Sequence, residues 1–396
     1  MKPIKRSLIL MLFSLLTLIL AACGPTGLSD LELAGTYAAQ TLTAFPTSTV
    51  TMTQTEVPTE TPTPEPTLGP VGPSDFPEGV NPLTGLLVDN PAILNRRPVF
   101  VKVSNYPAAG RPHAGLSAAD LVFEYYIGSG TNRFMGVYYG QDSEKIGPVR
   151  SGRLIDPYLV NLYEGVLGYY GAYETINAKI LDILGGRALS GIANICPALC
   201  DDGRNVVYSK FGDSAALTEL SIQRGIENRQ FELNGMAFDP ATPDGGVPGE
   251  QALVIYSNLN RGEWRYDEES GKYLRWIEDT SGGGIEMVPL VDANTDEQLA
   301  FSNVVILFAS HTEVTPTVYD VEIWGNTTGR RAIIFRDGQV FDVTWVVPFN
   351  NQPIQFIDAN GDPFPLKPGN TWNVIFGVNS GVVTDQGGWT FTFYIP

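Results

Sequence analysis

Leu121-Val122-Phe123-Glu124-Tyr125-Tyr126 is a run of β-branched and aromatic residues interrupted by one carboxylate, and it reads as a strand. Pro98-Val99-Phe100-Val101-Lys102-Val103 precedes it and Phe134-Met135-Gly136-Val137-Tyr138-Tyr139 follows, each bounded by turn residues. Helical spacing then takes over. Residues 153–163 and 174–184 carry apolar side chains at helical intervals, the second stretch stops at Gly185-Gly186, and a third helix is expected over 214–224. Strands mixed with helices in this way indicate an α+β fold, with an N-terminal part of mixed α/β type.

Beyond Phe231 the helical signal nearly vanishes. Strands are expected over 252–256, 264–266, 273–277, 304–308, 318–324, 332–335, 340–346 and 374–376, with Arg336-Asp337-Gly338-Gln339 as a hairpin turn. The C-terminal part should therefore be mainly antiparallel β. No solenoid-type repeat is present. The division falls near 230–250, where Asp239-Pro240-Ala241-Thr242-Pro243-Asp244-Gly245-Gly246 serves as a linker or a long loop. Two domains are expected, 76–235 and 236–396.

The N-terminus carries an export signal. Lys2, Lys5 and Arg6 precede an uncharged apolar run from Ser7 to Ala22, too short to span a bilayer comfortably, so 1–22 reads as a signal peptide. The run ends in Leu20-Ala21-Ala22-Cys23-Gly24, which resembles the lipobox of bacterial lipoproteins, where the cysteine takes a diacylglyceryl group and becomes the first mature residue. Each buried acyl methylene contributes about 0.8 kcal/mol, so two or three chains at Cys23 would hold the protein on a membrane. A short helix is allowed over 28–43. Thr, Ser and Pro dominate beyond it, as in Thr59-Glu60-Thr61-Pro62-Thr63-Pro64-Glu65-Pro66-Thr67. Such composition lacks the apolar side chains that offset ordering entropy, so 23–75 reads as a disordered tether.

The chain has 396 residues and a formal charge of −18. Loss of the signal removes three cations and leaves the remainder more acidic still. That balance, with no basic stripe, opposes binding to nucleic acid. After Cys23 two cysteines remain, Cys196 and Cys200, in Cys196-Pro197-Ala198-Leu199-Cys200. Outside the membrane they read as a small disulfide loop, with reduced thiols as the alternative; no second Cys pair or His completes a zinc site.

Several segments together resemble the YerB-type lipoprotein family, known also as DUF3048. They are Asn81-Pro82-Leu83-Thr84-Gly85, the stretch from Arg111-Pro112-His113-Ala114-Gly115 to Phe123-Glu124, Thr131-Asn132-Arg133-Phe134, and Ile146-Gly147-Pro148-Val149-Arg150-Ser151-Gly152-Arg153. In the C-terminal part they are Tyr273-Leu274-Arg275-Trp276, Asn303-Val304-Val305-Ile306, Thr344-Trp345, Asp358-Ala359-Asn360-Gly361-Asp362 and Leu366-Lys367-Pro368-Gly369-Asn370-Thr371-Trp372. The resemblance covers roughly residues 80–378 and implies a two-part lipoprotein, with no established activity to carry over. The family's glycine/serine-rich stretch appears here as Gly168-Tyr169-Tyr170-Gly171-Ala172-Tyr173-Glu174, and a following Pro-His-Asn-like segment only as Arg204-Asn205-Val206-Val207-Tyr208.

Read from the residues alone, Asn105, Arg111, Asp120, Glu124, Arg133, Arg150 and Arg153 fall in one sequence region, mostly at strand ends and turns. Arginine presents a planar fork that grips carboxylate or phosphate, so these seven are the candidate ligand site, with Tyr125, Tyr126, Tyr169 and Tyr170 as stacking faces for a sugar. The competing reading pairs the arginines with Asp120 and Glu124 and puts the tyrosines in the core.

No catalytic set emerges. Asp120 and Glu124 lie four strand residues apart, roughly 13 Å, too far to cooperate in glycoside cleavage. Only His113 and His311 are present, and no serine sits in a nucleophile elbow. Asp292-Ala293-Asn294-Thr295-Asp296 and Asp358-Ala359-Asn360-Gly361-Asp362 depart from the EF-hand pattern and read as a polar loop and a hairpin turn. No cofactor and no metal are expected. The expectation is a lipid-anchored protein on the outer face of the membrane that binds an envelope protein or a cell-wall component without catalysis. The alternative is a cell-wall carbohydrate-binding protein or enzyme using the Arg/carboxylate region.

Overall fold

The computed structural model describes residues 69–394. The signal peptide, Cys23, the short helix over 28–43 and the tether up to 68 lie outside that range. Numbering the strands and helices that build the main layers in chain order, the first half contributes β1 (Val99–Ser104), β2 (Leu121–Gly128), β3 (Thr131–Tyr138), α1 (Asp156–Leu162), β4 (Val166–Tyr169), α2 (Glu174–Leu184), β5 (Ala188–Ser190) and α3 (Ser214–Gln223). The second half contributes β6 (Gln251–Ser257), β7 (Asn260–Asp267), β8 (Lys272–Asp279), β9 (Glu286–Pro289), β10 (Asn303–Ala309), β11 (Arg330–Arg336), β12 (Gln339–Val346), β13 (Gln355–Ile357), β14 (Thr371–Gly377), β15 (Gly381–Asp385) and β16 (Gly388–Thr392).

Strand outweighs helix throughout. The helices lie where periodicity placed them, with α2 capped by Gly185 at φ 55°. α1 begins only at Asp156, because Pro157 suits a first helical turn and the backbone N–H of Arg153 is taken by the Asp156 carboxylate at 2.8 Å.

Two sheets carry the architecture. The larger, of eleven strands, runs β13-β12-β11-β10-β14-β2-β3-β1-β4-β5, with Val247–Pro248 paired onto β12. The smaller, of seven, runs β9-β8-β7-β6-β16-β15, with Ala300–Phe301 paired onto β8. Sequence texture changes near 235, yet the larger sheet crosses that point. β2 from the first half pairs in parallel with β14 from the second, Leu121 opposite Thr371 through Tyr125 opposite Ile375. β14 in turn pairs in parallel with β10. The second half is therefore mainly antiparallel, with parallel pairings of β10 with β14 and of β6 with β16 inside it. Parallel neighbours arise because β14 inserts from 250 residues downstream, where no hairpin is available to reverse direction.

The larger sheet is buried on both faces. One face carries Phe100, Phe123, Met135, Leu167, Val305 and Ile334 under α1 and α2; the other carries Val101, Val122, Phe134, Val304 and Trp372 against Trp264, Tyr273 and Phe391 of the smaller sheet. Burial on both sides explains why β2 and β10 read as near-continuous apolar runs without alternation. The tether's end is drawn into this body, since Val71 exchanges backbone hydrogen bonds with Phe238, each 2.9 Å.

A fragment spanning 76–235 would expose the apolar edge of β2 that β14 covers. It is expected to show no cooperative unfolding transition, whereas the whole chain unfolds in a single transition through 236–394. Circular dichroism during urea titration checks both; a cooperative transition in the isolated fragment would count against the shared-sheet account.

Candidate functional site

Strand alternation puts Glu124 and Arg133 on opposite faces of one sheet, and the other five candidate residues lie in segments that flank its strands. On β2, Glu124 points with Val122 and Tyr126 toward the smaller sheet, while Tyr125 points with Phe123 toward the helices. Cross-strand partners follow: Asn132 shares the face of Glu124, and Arg133 lies opposite both Tyr125 and Ser104 in register.

On the face of Glu124 every charge is matched. Glu124 is fully buried and accepts from Trp372 Nε1 at 2.8 Å, Arg275 Nη2 at 3.3 Å and Asn132 Nδ2. Arg275, itself fully buried, stacks 4.0 Å over the Trp264 ring. A Cβ at residue 262 would meet its Nη atoms at 2.1 Å, so Gly262 makes room for it. Asn105 and Asn260 both donate to Asn132 Oδ1, at 2.6 and 3.1 Å. Arg111 pairs with Glu278, Nη2 to Oε1 2.6 Å, and also donates to its carbonyl. Burial pushes the Glu124 carboxyl up, and Arg275 opposes this. Asn105, Arg111 and Glu124 thus belong to a closed network between the sheets. Asp120, at the start of β2, accepts from Asn81 Nδ2 at 2.9 Å and from the N–H groups of Tyr139 and Gly140 at 2.6 and 3.0 Å, so it organises the Asn81 motif. Burial raises its pKa to about 6.

The helix-covered face is different. Backbone hydrogen bonds from Arg150 N to Lys102 O at 2.9 Å and from Tyr170 N to Arg150 O at 3.0 Å lay the segment 148–153 across the ends of β1 and β4. Arg133 Nη1 donates to the Ser151 carbonyl at 2.6 Å, and Arg153 Nη1 reaches the same oxygen at 3.5 Å and that of Gly152 at 2.9 Å. Two guanidinium groups therefore share one neutral oxygen. Arg150 makes no side-chain hydrogen bond or ion pair among the described residues, and the Nε atoms of all three arginines are buried without a partner. Burial, then the charges of Arg153 and Arg150, lowers the Arg133 pKa to about 9. Burial likewise lowers Arg150 and Arg153.

The carboxylate beside them, Asp156, is already engaged. Its Oδ1 accepts from Lys102 Nζ at 3.1 Å and from the Tyr125 hydroxyl, and its Oδ2 accepts from the Arg153 N–H. Lys102 also donates to the Tyr125 oxygen, and burial, opposed by Asp156, lowers its pKa to about 7. Gly152 is confined: a Cβ there would meet Ile180 Cδ1 at 2.6 Å. Arg133 and Arg153 thus meet at the Ser151 carbonyl, Arg150 is close enough for its charge to act on both, and the exposed Tyr173 and the buried Tyr125 and Asp156 adjoin Arg153. Lys102 and Asp156 were not among the residues expected from sequence; a lone lysine inside Val99-Phe100-Val101-Lys102-Val103 was the available signal.

Other expected features lie apart from this site. Tyr126 packs between Tyr256 and Phe393 in the core, and Tyr169 is buried with its hydroxyl donating to Asn177 Oδ1 at 2.7 Å. Cys196 and Cys200 are joined, S–S 2.00 Å. Asp292 latches the Arg111–Glu124 segment, accepting from the N–H groups of Gly115 and Ser117 at 2.9 and 2.8 Å, and Asp358 Oδ1 closes a turn onto the N–H groups of Asn360 and Asp362. A cavity of about 800 Å³ lined by Phe76, Pro91, Arg229 and Phe231 contains none of the seven candidate residues.

Residues 83–224 match the family described as "Protein of unknown function (DUF3048) N-terminal domain", and 252–373 match its C-terminal domain. The chain belongs to the DUF3048 family. It is similar to "Putative lipoprotein YerB" of Bacillus subtilis (strain 168), 27% identical over 299 residues that cover 74% of this chain and 84% of the relative. The crystal structure of the YerB protein from Bacillus subtilis superposes with a TM-score of 0.62 at 26% identity, over 74% of this chain and 95% of that one. All seven candidate residues fall in the N-terminal DUF3048 match, whereas the partners Arg275, Glu278 and Trp372 fall in the C-terminal match. The two family segments are thus joined through buried polar contacts as well as through the sheet. Among the described residues no helix is long and apolar enough to cross a membrane.

Breaking a buried ion pair leaves an uncompensated charge, so Arg275→Met is expected to destabilise the protein by about 3–5 kcal/mol, and Glu124→Leu combined with Arg275→Met to recover part of that loss in urea denaturation. His113 supplies a pH test. Burial, reinforced by Arg111, lowers its pKa to about 3, and its ring Nε2 lies 2.8 Å from the Ser104 carbonyl. Its contribution to stability is fully present above the unfolded value near 6.5 and is lost as the pH falls toward 3. Asp120 works in the opposite sense across its own window, so a comparison of variants is the clean measurement. The stability gap between parent and His113→Gln should narrow from pH 7 to pH 4; a constant gap would mean that His113 titrates normally.

Proposed function

We propose that this protein is a lipoprotein, anchored through Cys23 to the outer face of the cell membrane, whose folded body binds an anionic ligand of the envelope without turning it over. The lipobox-like Leu20-Ala21-Ala22-Cys23 and the similarity to a putative lipoprotein support the anchoring. The observation that carries the binding reading is the gathering of Arg133, Arg150 and Arg153 with no ion pair of their own among the described residues, inside a chain of charge −18. Like charges gathered and partly desolvated cost free energy unless an opposite charge joins them, and a bound anion is that charge.

A binding role fits the surroundings better than turnover. Asp120 and Glu124 are committed to backbone and network contacts, and Glu124 lies on the opposite face of the sheet from the arginines. Lys102, Tyr125 and Asp156 are bonded to one another and buried. A cell-wall component fits this chemistry more directly than a protein partner, because Arg133 is buried and Arg150 and Arg153 are half-buried rather than fully exposed.

Arg150→Gln removes one guanidinium that makes no internal bond, so the fold should persist. The full-length variant is expected to retain less than about a tenth of the parent's binding to insoluble cell-wall fragments, a loss of at least about 1.4 kcal/mol. Co-sedimentation at fixed ionic strength measures this. Equal retention by parent and variant would remove the arginines from the binding role.

A further inference from the structure

We infer that the group held by Arg133, Arg150 and Arg153 is a phosphoryl dianion rather than a carboxylate. The inference rests on the binding role proposed above and specifies its ligand.

Charge is the first support. Among the described residues, Asp156 is the one carboxylate close to Lys102, Arg133 and Arg153, and it already accepts from Lys102, Tyr125 and the Arg153 N–H. A monoanion would leave this cluster strongly positive, whereas a dianion leaves it closer to neutral. Glu174, the residue after Tyr173, is exposed to solvent and therefore well screened.

Shape is the second. A carboxylate has two oxygens in one plane, which a single guanidinium fork satisfies. The phosphoryl group presents three oxygens in different directions and can accept from several forks at once. Here Arg133 and Arg153 approach the Ser151 carbonyl together, and Arg150 lies in the same irregular segment, its N–H bonded to Lys102 O.

The third support is the start of α2. Gly152 N donates to Gly171 O at 2.8 Å, which brings the beginning of this eleven-residue helix beside Arg153. Its N-cap, Tyr173, supplies no capping side chain. The partial positive charge of this helix start adds to that of Arg153, which Tyr173 adjoins, and favours an anion beside them. The exposed Tyr173 ring offers a face to whatever body carries the phosphoryl group.

Titration calorimetry on the detergent-solubilised full chain, at pH 7 and constant ionic strength, tests this with inorganic phosphate and malonate, a carboxylate dianion. Phosphate is expected to bind at least about ten-fold more tightly than malonate, and Arg150→Gln to weaken phosphate by a similar factor while the circular dichroism spectrum is unchanged. Malonate binding as tightly as phosphate overturns the phosphoryl assignment and leaves an anion site. Wall-fragment binding that depends on Arg150 while phosphate does not bind also overturns it, with the binding role intact. Loss of all Arg150-dependent binding sinks both. Glucose 1-phosphate separates two sources of the group: tighter binding than inorganic phosphate, reduced in Tyr173→Ala, supports a phosphoryl group on an organic body, and equal affinity supports free phosphate.

Discussion

The parallel pairing of β2 with β14 is the constraint on which the rest of this structure depends. It joins strands about 250 positions apart in the chain and turns two family segments into one sheet. With β14 in place, Trp372 lies across the sheet from Val122 and donates to Glu124, and Arg275 of the smaller sheet can reach the same carboxylate. Each of these contacts spans the sequence division near 235. Loop closure over such a length costs conformational entropy, and the apolar area sealed on both faces of the sheet is what offsets it.

A second consequence comes from the two-residue period of a strand. Neighbouring residues on β2 and β3 point to opposite faces, so Glu124 and Tyr125, or Asn132 and Arg133, enter different environments. The inner face holds a carboxylate met by a guanidinium, an indole and an amide. The helix-covered face holds arginines that make no ion pair among the described residues. The inner network joins the two halves through buried polar contacts; the outer cluster is the part left unmatched among the described residues.

Much of this was legible in the residues. α2 and α3 lie close to where apolar spacing and Gly185 placed them, and β2, β10 and β14 lie within runs too apolar for a one-sided sheet. Arg133, Arg150 and Arg153 stood among the candidate residues read from sequence, and their Nε atoms have no hydrogen-bond partner among the described residues. The grouping of Asn105, Arg111, Asp120 and Glu124 with them was not legible, because sequence proximity carries no information on which face of a strand a neighbour shares once loops intervene. Asp156 escaped notice as an ordinary first-turn residue of a helix.

The sequence by itself determined the strand-rich α+β character, the positions of the helices, the export signal pattern and the supply of arginines in an acidic chain, since all of these follow from local spacing and composition. Only the tertiary structure decided that Arg111 is neutralised by Glu278 and Arg275 by Glu124 while Arg133, Arg150 and Arg153 are not. The physical reason is that charge matching depends on distances of a few ångströms between residues far apart in the chain, and those distances are set by which strand lies beside which.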